Sequence, residues 1–135
     1  FITRNDIPVD LREMWTRIVF NICIGNSDDH LRNHGFLLKH TRDWKFSPVY
    51  DINPHPHTRG LSLNINEDSY ALDLELAIEV AKYFKVSKRD AKETVQDFAD
   101  TISERWDIYV SDYGISKSEQ DYYSPAFSAT MDWAK

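Results

Sequence analysis

Glycine is scarce in this sequence: the 135 residues include only four, Gly25, Gly35, Gly60 and Gly114. Many nucleotide-binding proteins cradle phosphate groups in a loop that needs several closely spaced glycines. No two of the four glycines are close enough to form such a loop. The sequence therefore excludes a glycine-rich phosphate-binding loop within these residues.

Cysteine and positive charge are also limited. The single cysteine, Cys23, cannot form an intramolecular disulfide, and its position in an apolar pattern predicts a buried thiol rather than a catalytic one. Acidic residues outnumber Lys and Arg by 22 to 16, and the formal net charge of −6 argues against a dedicated nucleic-acid surface.

Long apolar runs are missing as well. No run approaches the ~20 residues of a membrane span, and no signal peptide is recognisable, so we expect no membrane contact and a cytoplasmic protein. The length predicts one domain, residues 1–135, with its own core. Because the sequence begins with Phe1 rather than Met, we expect a piece of a longer protein.

Apolar periodicity predicts a mainly helical fold. Apolar residues recur at steps of three and one from Leu11 to Cys23, which indicates one amphipathic helix. Asp10 and Glu13 have the spacing of a capping box at its start, and Gly25 is placed to end it. Residues 1–9 are expected to be extended.

Three further helices are predicted. Apolar periodicity indicates helix from Asp73, and capping residues at Ser87 and Ser116 open the other two, with Gly114 ending the long second one and Pro125 interrupting the last. The long helix should turn one face inward, formed by Ala91, Val95, Phe98, Ala99, Ile102, Trp106 and Tyr109.

One short hairpin is predicted between the first helix and the others. Residues 34–39 and 43–46 are apolar runs separated by the polar residues 40–42, a pattern typical of two antiparallel strands. Residues 53–66 contain Pro54, Pro56 and Gly60 and are expected to be irregular.

The chemistry-bearing residues lie around this hairpin. Asp28 and Asn33 are five positions apart, and Asp51 follows the hairpin. Protein kinases use this order for the acid that accepts the substrate hydroxyl proton and for the amide and acid that hold Mg²⁺. Mg²⁺ prefers oxygen ligands, which suits Asn33 and Asp51. On spacing alone, the favoured interpretation is a polar loop whose side chains bond their own backbone.

Two blocks of residues make the pattern more specific. They resemble the HipA-like protein kinases, the toxin kinases of bacterial toxin–antitoxin modules, and Ser124-Pro125-Ala126-Phe127 is similar to that family's ending. The blocks are Asn26-x-Asp28-x-His30-x-x-Asn33 and Trp44-x-x-Ser47-Pro48-x-Tyr50-Asp51. The resemblance implies the helical C-terminal lobe of a protein-kinase-like fold, with one small β-hairpin after the catalytic loop.

The resemblance also implies a function and its residues. A family member transfers the γ-phosphoryl group of ATP to a protein Ser or Thr hydroxyl, and a HipB-like antitoxin neutralises it. Asp28 matches the catalytic Asp, whereas Asn33 and Asp51 match the Mg²⁺ ligands that meet ATP. His30 matches a histidine that could steady the γ-phosphate or brace the loop. Asp29 lies where the family varies and receives no role.

Part of a complete kinase is missing from the sequence. A phosphate-cradling loop and a strand-borne Lys belong to an N-terminal lobe, which we expect upstream or on a separate chain. One alternative is a non-catalytic remnant or interaction module that binds an antitoxin or a partner lobe. Another is a metal-dependent hydrolase built from Asp28, Asp29, His30 and the pair His55 and His57.

Overall fold

The computed structural model of the chain describes residues 7–40, 43–57, 60–65 and 71–134. Five α-helices and one two-stranded antiparallel sheet occur in these ranges: α1 Ile7–Cys23, β1 Phe36–His40, β2 Asp43–Phe46, α2 Leu74–Val80, α3 Lys88–Asp112, α4 Lys117–Tyr123 and α5 Ser128–Trp133. The prediction of a mainly helical fold with one small hairpin is confirmed. Within the described ranges, no helix has both the length and the apolar character needed to cross a membrane.

The first helix begins earlier than the capping pattern predicts. Because α1 already includes Ile7, Asp10 lies inside the helix, and the predicted extended entry is wrong for residues 7–9. Pro8 lies in the first described turn, where a missing N–H breaks no hydrogen bond within the helix. The rest of the predicted entry, residues 1–6, lies outside the described part of the chain.

The apolar face of α1 forms the centre of the core. Trp15, Val19, Ile22 and Cys23 are fully buried. Trp15 Nε1 also donates a hydrogen bond to the carbonyl oxygen of Ala77 in α2, at 2.8 Å. Since α2, α3 and α5 all contact α1, this helix is fixed on several sides.

The C-terminal end of α1 is a Schellman motif. Gly25 N–H donates to Ile22 O at 3.2 Å, and Asn26 N–H donates to Asn21 O at 2.8 Å. Gly25 has a φ of +63°, and a Cβ there would overlap the carbonyl oxygen of Ala126. The predicted stop at Gly25 is confirmed, and the close approach of Ala126 adds a second reason for glycine.

The last helix of the described chain completes this end of α1. Thr130 of α5 is fully buried, and its Oγ1 donates to the carbonyl oxygen of Cys23 at 2.8 Å. The last carbonyl groups of a helix have no partner within the helix. The hydroxyl therefore satisfies a buried acceptor and ties the C-terminal part of the chain to α1.

The later helices begin where the sequence predicts them, at Ser87 and Ser116 from capping residues and at Asp73 from apolar periodicity. Asp73, Ser87 and Ser116 each accept backbone N–H bonds at the starts of α2, α3 and α4. Gly114, with φ +62°, follows the end of α3, and Pro125 lies in a 3₁₀ turn between α4 and α5. These boundaries are confirmed. They could be predicted because each one depends on local chemistry.

The predicted inner face of α3 is wrong at its C-terminal end. Ala91, Val95 and Ala99 are buried, but the side chain of Tyr109 is 48% exposed. The ring of Tyr109 contacts that of Tyr113, just after the end of α3, at 6.1 Å between centroids.

The hairpin returns the chain toward α1. Phe36 pairs with Phe46 across the strands, and their rings stack at 4.4 Å between centroids. Arg17 of α1 donates from Nη2 to the carbonyl oxygen of Ser47 at 2.6 Å, just after β2. The predicted hairpin is confirmed, although residues 41–42 of its turn lie outside the described ranges. Residues 53–57 and 60–65 contain no helix or strand, as predicted.

The two left-handed glycines give a matched test. Gly25→Ala should lower the free energy of unfolding by about 2–5 kcal/mol, because left-handed backbone costs an alanine about 1–2 kcal/mol and overpacking adds ~1–3. Gly114→Ala should cost only the backbone part, since a Cβ there meets no atom within 4 Å. Urea unfolding of both variants measures the difference, and equal losses would contradict the proposed contact with Ala126.

The buried thiol predicts a pH dependence. Burial raises the pKa of Cys23 from 9.0 to about 11, against a smaller lowering by its hydrogen bond to Thr130. Between these two values the folded chain binds more protons than the unfolded chain, so stability contributed by the neutral thiol is lost as the pH rises.

Between about pH 8 and about pH 10, the wild-type chain should lose roughly 1 kcal/mol more stability than Cys23→Ala. Urea titrations of both proteins at the two pH values supply the comparison. Parallel losses would mean that the thiol ionises as readily in the folded chain as in the unfolded one.

Candidate active site

The polypeptide turns sharply after α1, and side chains from distant segments hold the turn. Asn26 is fully buried, and its Nδ2 donates to Asn21 Oδ1 at 3.0 Å. The carbonyl oxygen of Ser27 accepts both the N–H and the Oγ–H of Ser62, at 2.8 and 2.9 Å. The residues that follow therefore start from a fixed point.

Asp28 and Asp29 face different environments. The Asp28 side chain is exposed, and within the described ranges its carboxylate has no hydrogen bond or ion pair. Asp29 is buried, and its two carboxylate oxygens lie 3.0 and 3.1 Å from Nε2 of His34. An acid that takes a proton from a substrate must be accessible to that substrate. The carboxylate of Asp28 is accessible, whereas that of Asp29 is bonded to His34.

The segment between Asp29 and His34 orients the amide of Asn33. Leu31–Asn33 forms a 3₁₀ turn, in which Asn33 N–H donates to the carbonyl oxygen of His30 at 2.8 Å. In return, His30 N–H donates to Asn33 Oδ1 at 3.1 Å. Because Asn33 is buried and Oδ1 accepts this bond, its Nδ2 is directed away from the turn.

That nitrogen meets Asp51. Asn33 Nδ2 donates to Asp51 Oδ2 at 2.9 Å, although the residues are 18 positions apart. The other carboxylate oxygen, Oδ1, accepts from Asn53 Nδ2 at 3.2 Å. The hairpin therefore places the amide and the acid side by side, at the foot of the loop that carries Asp28.

Asp51 is held in an uncommon conformation. Its φ is +58°, and left-handed backbone costs most L-residues about 1–2 kcal/mol, less for Asp. The preceding side chain, Tyr50, donates from Oη to the carbonyl oxygen of Arg32 at 2.6 Å. This bond and the Asn33 bond connect both sides of the strained residue to the loop. Such strain is common at ligand-binding and catalytic positions.

The amide and the acid can offer oxygen atoms to a hard cation. An ionised carboxylate has about four lone-pair sites, and hydrogen bonds from Asn33 and Asn53 occupy two of those on Asp51. Asn33 Oδ1 uses one lone pair for His30 N–H and retains another. Mg²⁺ bound with phosphates often takes only one or two protein oxygens. The donor types of these residues therefore suit Mg²⁺, but the amide nitrogen of Asn33, and not its oxygen, faces Asp51.

The other histidines have structural surroundings. His55 N–H donates to the carbonyl oxygen of Gly25 at 3.0 Å, and the ring of His57 contacts the ring of Tyr122 edge-on at 4.8 Å. Across residues 7–40, 43–57, 60–65 and 71–134, no three or more His, Cys, Asp or Glu side chains are grouped to hold a metal. The group of metal ligands that the hydrolase alternative needs is therefore not assembled among these described residues.

The sequence patterns missed two parts of this region. The pairing of Asp29 with His34 was not predicted. The signal for it is that Asp29 directly follows Asp28 and His34 directly follows Asn33, so both pairs have the same spacing. The bond of Ser62 to Ser27 was also missed, since nothing local to an irregular segment indicates its long-range partner.

Comparison with known proteins establishes the family. The HipA-like C-terminal domain model matches residues 2–106, which is 105 of the 135 residues. The chain therefore belongs to the HipA-like C-terminal domain family, which confirms the predicted resemblance.

One relative gives a further, shorter similarity. A Haemophilus influenzae (strain ATCC 51907 / DSM 11121 / KW20 / Rd) protein named "Putative kinase" is 38% identical over 48 residues, which cover 33% of this chain and 14% of the relative. The matched part is thus well under two thirds of that protein's length. No solved structure matches the chain significantly.

The amide–carboxylate pair can be tested without enzymatic activity. Asn33→Asp removes the donor and places two carboxylates side by side, so it should lower the free energy of unfolding by about 1–3 kcal/mol. If the two side chains can share a cation, MgCl₂ at ten times its dissociation constant should restore about 1.4 kcal/mol by mass action.

Gln96→Glu is the matched control, because Gln96 Nε2 donates to Asp100 Oδ1 at 2.8 Å on the exposed side of α3. Thermal unfolding with MgCl₂, and with KCl at the same ionic strength, separates binding from screening. Equal recovery of both variants would remove the reason to place a cation at Asn33 and Asp51.

Proposed function

We propose that this chain is the C-terminal catalytic lobe of a HipA-like serine/threonine protein kinase. The observation that carries the proposal is the 2.9 Å contact between Asn33 and Asp51, directly after the loop that exposes Asp28. Family membership supports the same role. The mainly helical fold with its hairpin also supports this role.

In the proposed reaction, Asp28 accepts the proton of a Ser or Thr hydroxyl on a protein substrate. The hydroxyl oxygen bonds to the γ-phosphorus of ATP, the bond from that phosphorus to the β,γ-bridging oxygen breaks, and ADP leaves. Asn33 and Asp51 hold Mg²⁺, which neutralises phosphate charge when it is bound. Exposure of Asp28 supports its role, because the substrate hydroxyl belongs to another protein.

His30 supports the site through its backbone in this proposal. Its N–H fixes the Asn33 amide, whereas its ring nitrogen Nδ1 is buried without a partner among the described residues. His30 lies two positions after Asp28 in the sequence. In this proposal, a contact between its ring and the γ-phosphate is a second role.

The proposed partners follow from the family. A protein with a Ser or Thr acceptor is the substrate. The kinase is the toxin component of a toxin–antitoxin module, and a HipB-like antitoxin restrains it. An N-terminal lobe, in cis or in trans, supplies the phosphate loop and the lysine. These partners belong to the whole kinase, and the sequenced relative is matched over only 14% of its length.

A non-catalytic interaction module is the alternative. Its support is the scarcity of glycine, which leaves these residues without a glycine-rich phosphate loop. Both proposals expect weak ATP binding by the isolated chain, and submicromolar affinity in calorimetry would contradict the missing-lobe argument. They differ in the full-length protein, where only the kinase transfers phosphate.

Asp28→Asn in the full-length protein tests the proposed base. Phosphoryl transfer should fall by about 10²–10⁴-fold, the usual contribution of general acid–base catalysis, because an amide cannot accept the hydroxyl proton. Binding of ATP with Mg²⁺ should persist. Transfer of radiolabelled phosphate from ATP to Ser and Thr hydroxyls of an added protein mixture measures turnover, and calorimetry measures ATP binding.

Asp100→Asn, an exposed acid on α3, is the control and should keep full activity. Unchanged turnover of Asp28→Asn would remove Asp28 from the mechanism. Loss of ATP binding together with turnover would show a binding role instead.

A further inference from the structure

We propose that the buried pair Asp29 and His34 is a positioning device that fixes the separation between Asp28 and Asn33. The inference rests on the proposed kinase function, because it assigns a task to residues beside the base and the metal ligand. Neither Asp29 nor His34 touches the reacting groups in this proposal. They act through the backbone that carries their neighbours.

The position of the pair in the chain is the first argument. Asp29 immediately follows Asp28, and His34 immediately follows Asn33. The contacts of 3.0 and 3.1 Å from His34 Nε2 to the Asp29 oxygens therefore close a six-residue loop at both ends. Any change in the distance between the residues of the pair is transmitted to Asp28 and Asn33.

Burial is the second argument. The side chains of His34 and Asp29 are only 8% and 9% exposed. A buried carboxylate is unfavourable unless a partner compensates it. Within the described residues, Asp29 has its hydrogen bond from His34, and the tautomer with the proton on Nε2 supplies that donor.

The packing around Asp29 is the third argument. Asp29 lines two cavities, of about 180 Å³ and about 220 Å³, and Asn21 lines both with it. Close-packed neighbours would fix a side chain by shape alone. Because Asp29 lines two cavities, packing alone leaves its position less restricted, and its hydrogen bond to His34 adds a restraint.

The geometry required for catalysis explains why such a device is useful. Catalytic groups must be held within about 0.5 Å of their productive positions. Asn33 is fixed by His30 and Asp51, but Asp28 has no hydrogen-bond partner in the described part of the chain. The neighbouring pair supplies the restraint that the exposed side chain of Asp28 lacks.

Kinetics of the full-length protein test the proposal. Asp29→Ala and His34→Ala should each lower kcat about 10–100-fold, the scale expected for a misplacement near 1 Å. The KM for ATP should change by less than about threefold, because the loop acts on alignment rather than on nucleotide binding. The double variant should be no slower than the slower single variant, since the residues act as one unit.

A conservative variant and a control separate positioning from stability. Asp29→Asn retains an oxygen that can accept from His34, so it should recover most of the kcat lost in Asp29→Ala. Trp15→Phe removes the buried bond to Ala77 far from the loop in sequence. It should lower the unfolding temperature and leave kcat unchanged at temperatures where the protein is folded.

Hydrogen exchange gives a readout that does not depend on activity. In the full-length protein, backbone amides of residues 28–34 should exchange at least about tenfold faster in Asp29→Ala than in wild type. Exchange in α3 should stay unchanged. Trp15→Phe should not accelerate the loop selectively.

The outcomes distinguish the two proposals. An inactive wild-type protein would overturn the kinase function, and exchange would still report whether the pair orders the loop. An active wild type whose kcat survives Asp29→Ala would overturn the positioning role and leave the kinase function intact. Additive losses in the double variant, or no rescue by Asp29→Asn, would also contradict the pair.

Discussion

The turn after α1 is the constraint on which the other parts depend. Gly25 lets the backbone pass against Ala126, and its carbonyl oxygen accepts the N–H of His55. Two residues earlier, the carbonyl oxygen of Cys23 accepts a hydrogen bond from Thr130 Oγ1. The start of the loop that carries Asp28, the irregular segment and the C-terminal helices therefore meet at one point. A left-handed residue without a side chain is the only kind that permits this approach.

From that fixed turn, the candidate site is built by two returns of the chain. The 3₁₀ turn brings Asn33 back to the backbone of His30, and the hairpin brings Asp51 back to Asn33. Arg17 connects the end of the hairpin to α1 at Ser47. The loop thus rests on the helix whose apolar face forms the centre of the core. A site that needs accurate placement gains from such a rigid support.

Local chemistry explains which features could be predicted. Caps at Ser87 and Ser116 and the stop at Gly25 depend on a few adjacent residues, and each was found where expected. The start of α1 was misplaced because Asp10 imitates a cap while Pro8 is compatible with a first helical turn. The HipA-like motif identified the family because it fixes several residues in two blocks.

The sequence by itself determined the mainly helical class, the family and the order of the candidate residues Asp28, His30, Asn33 and Asp51. Only the tertiary structure decided which acid of the Asp28–Asp29 dipeptide is exposed and which is buried against His34. It also decided that Tyr109 lies outside the core. Residue type and periodicity constrain neighbours along the chain, whereas burial depends on which distant segments cover a residue. Two adjacent residues of the same type therefore do not indicate by themselves which of them is buried.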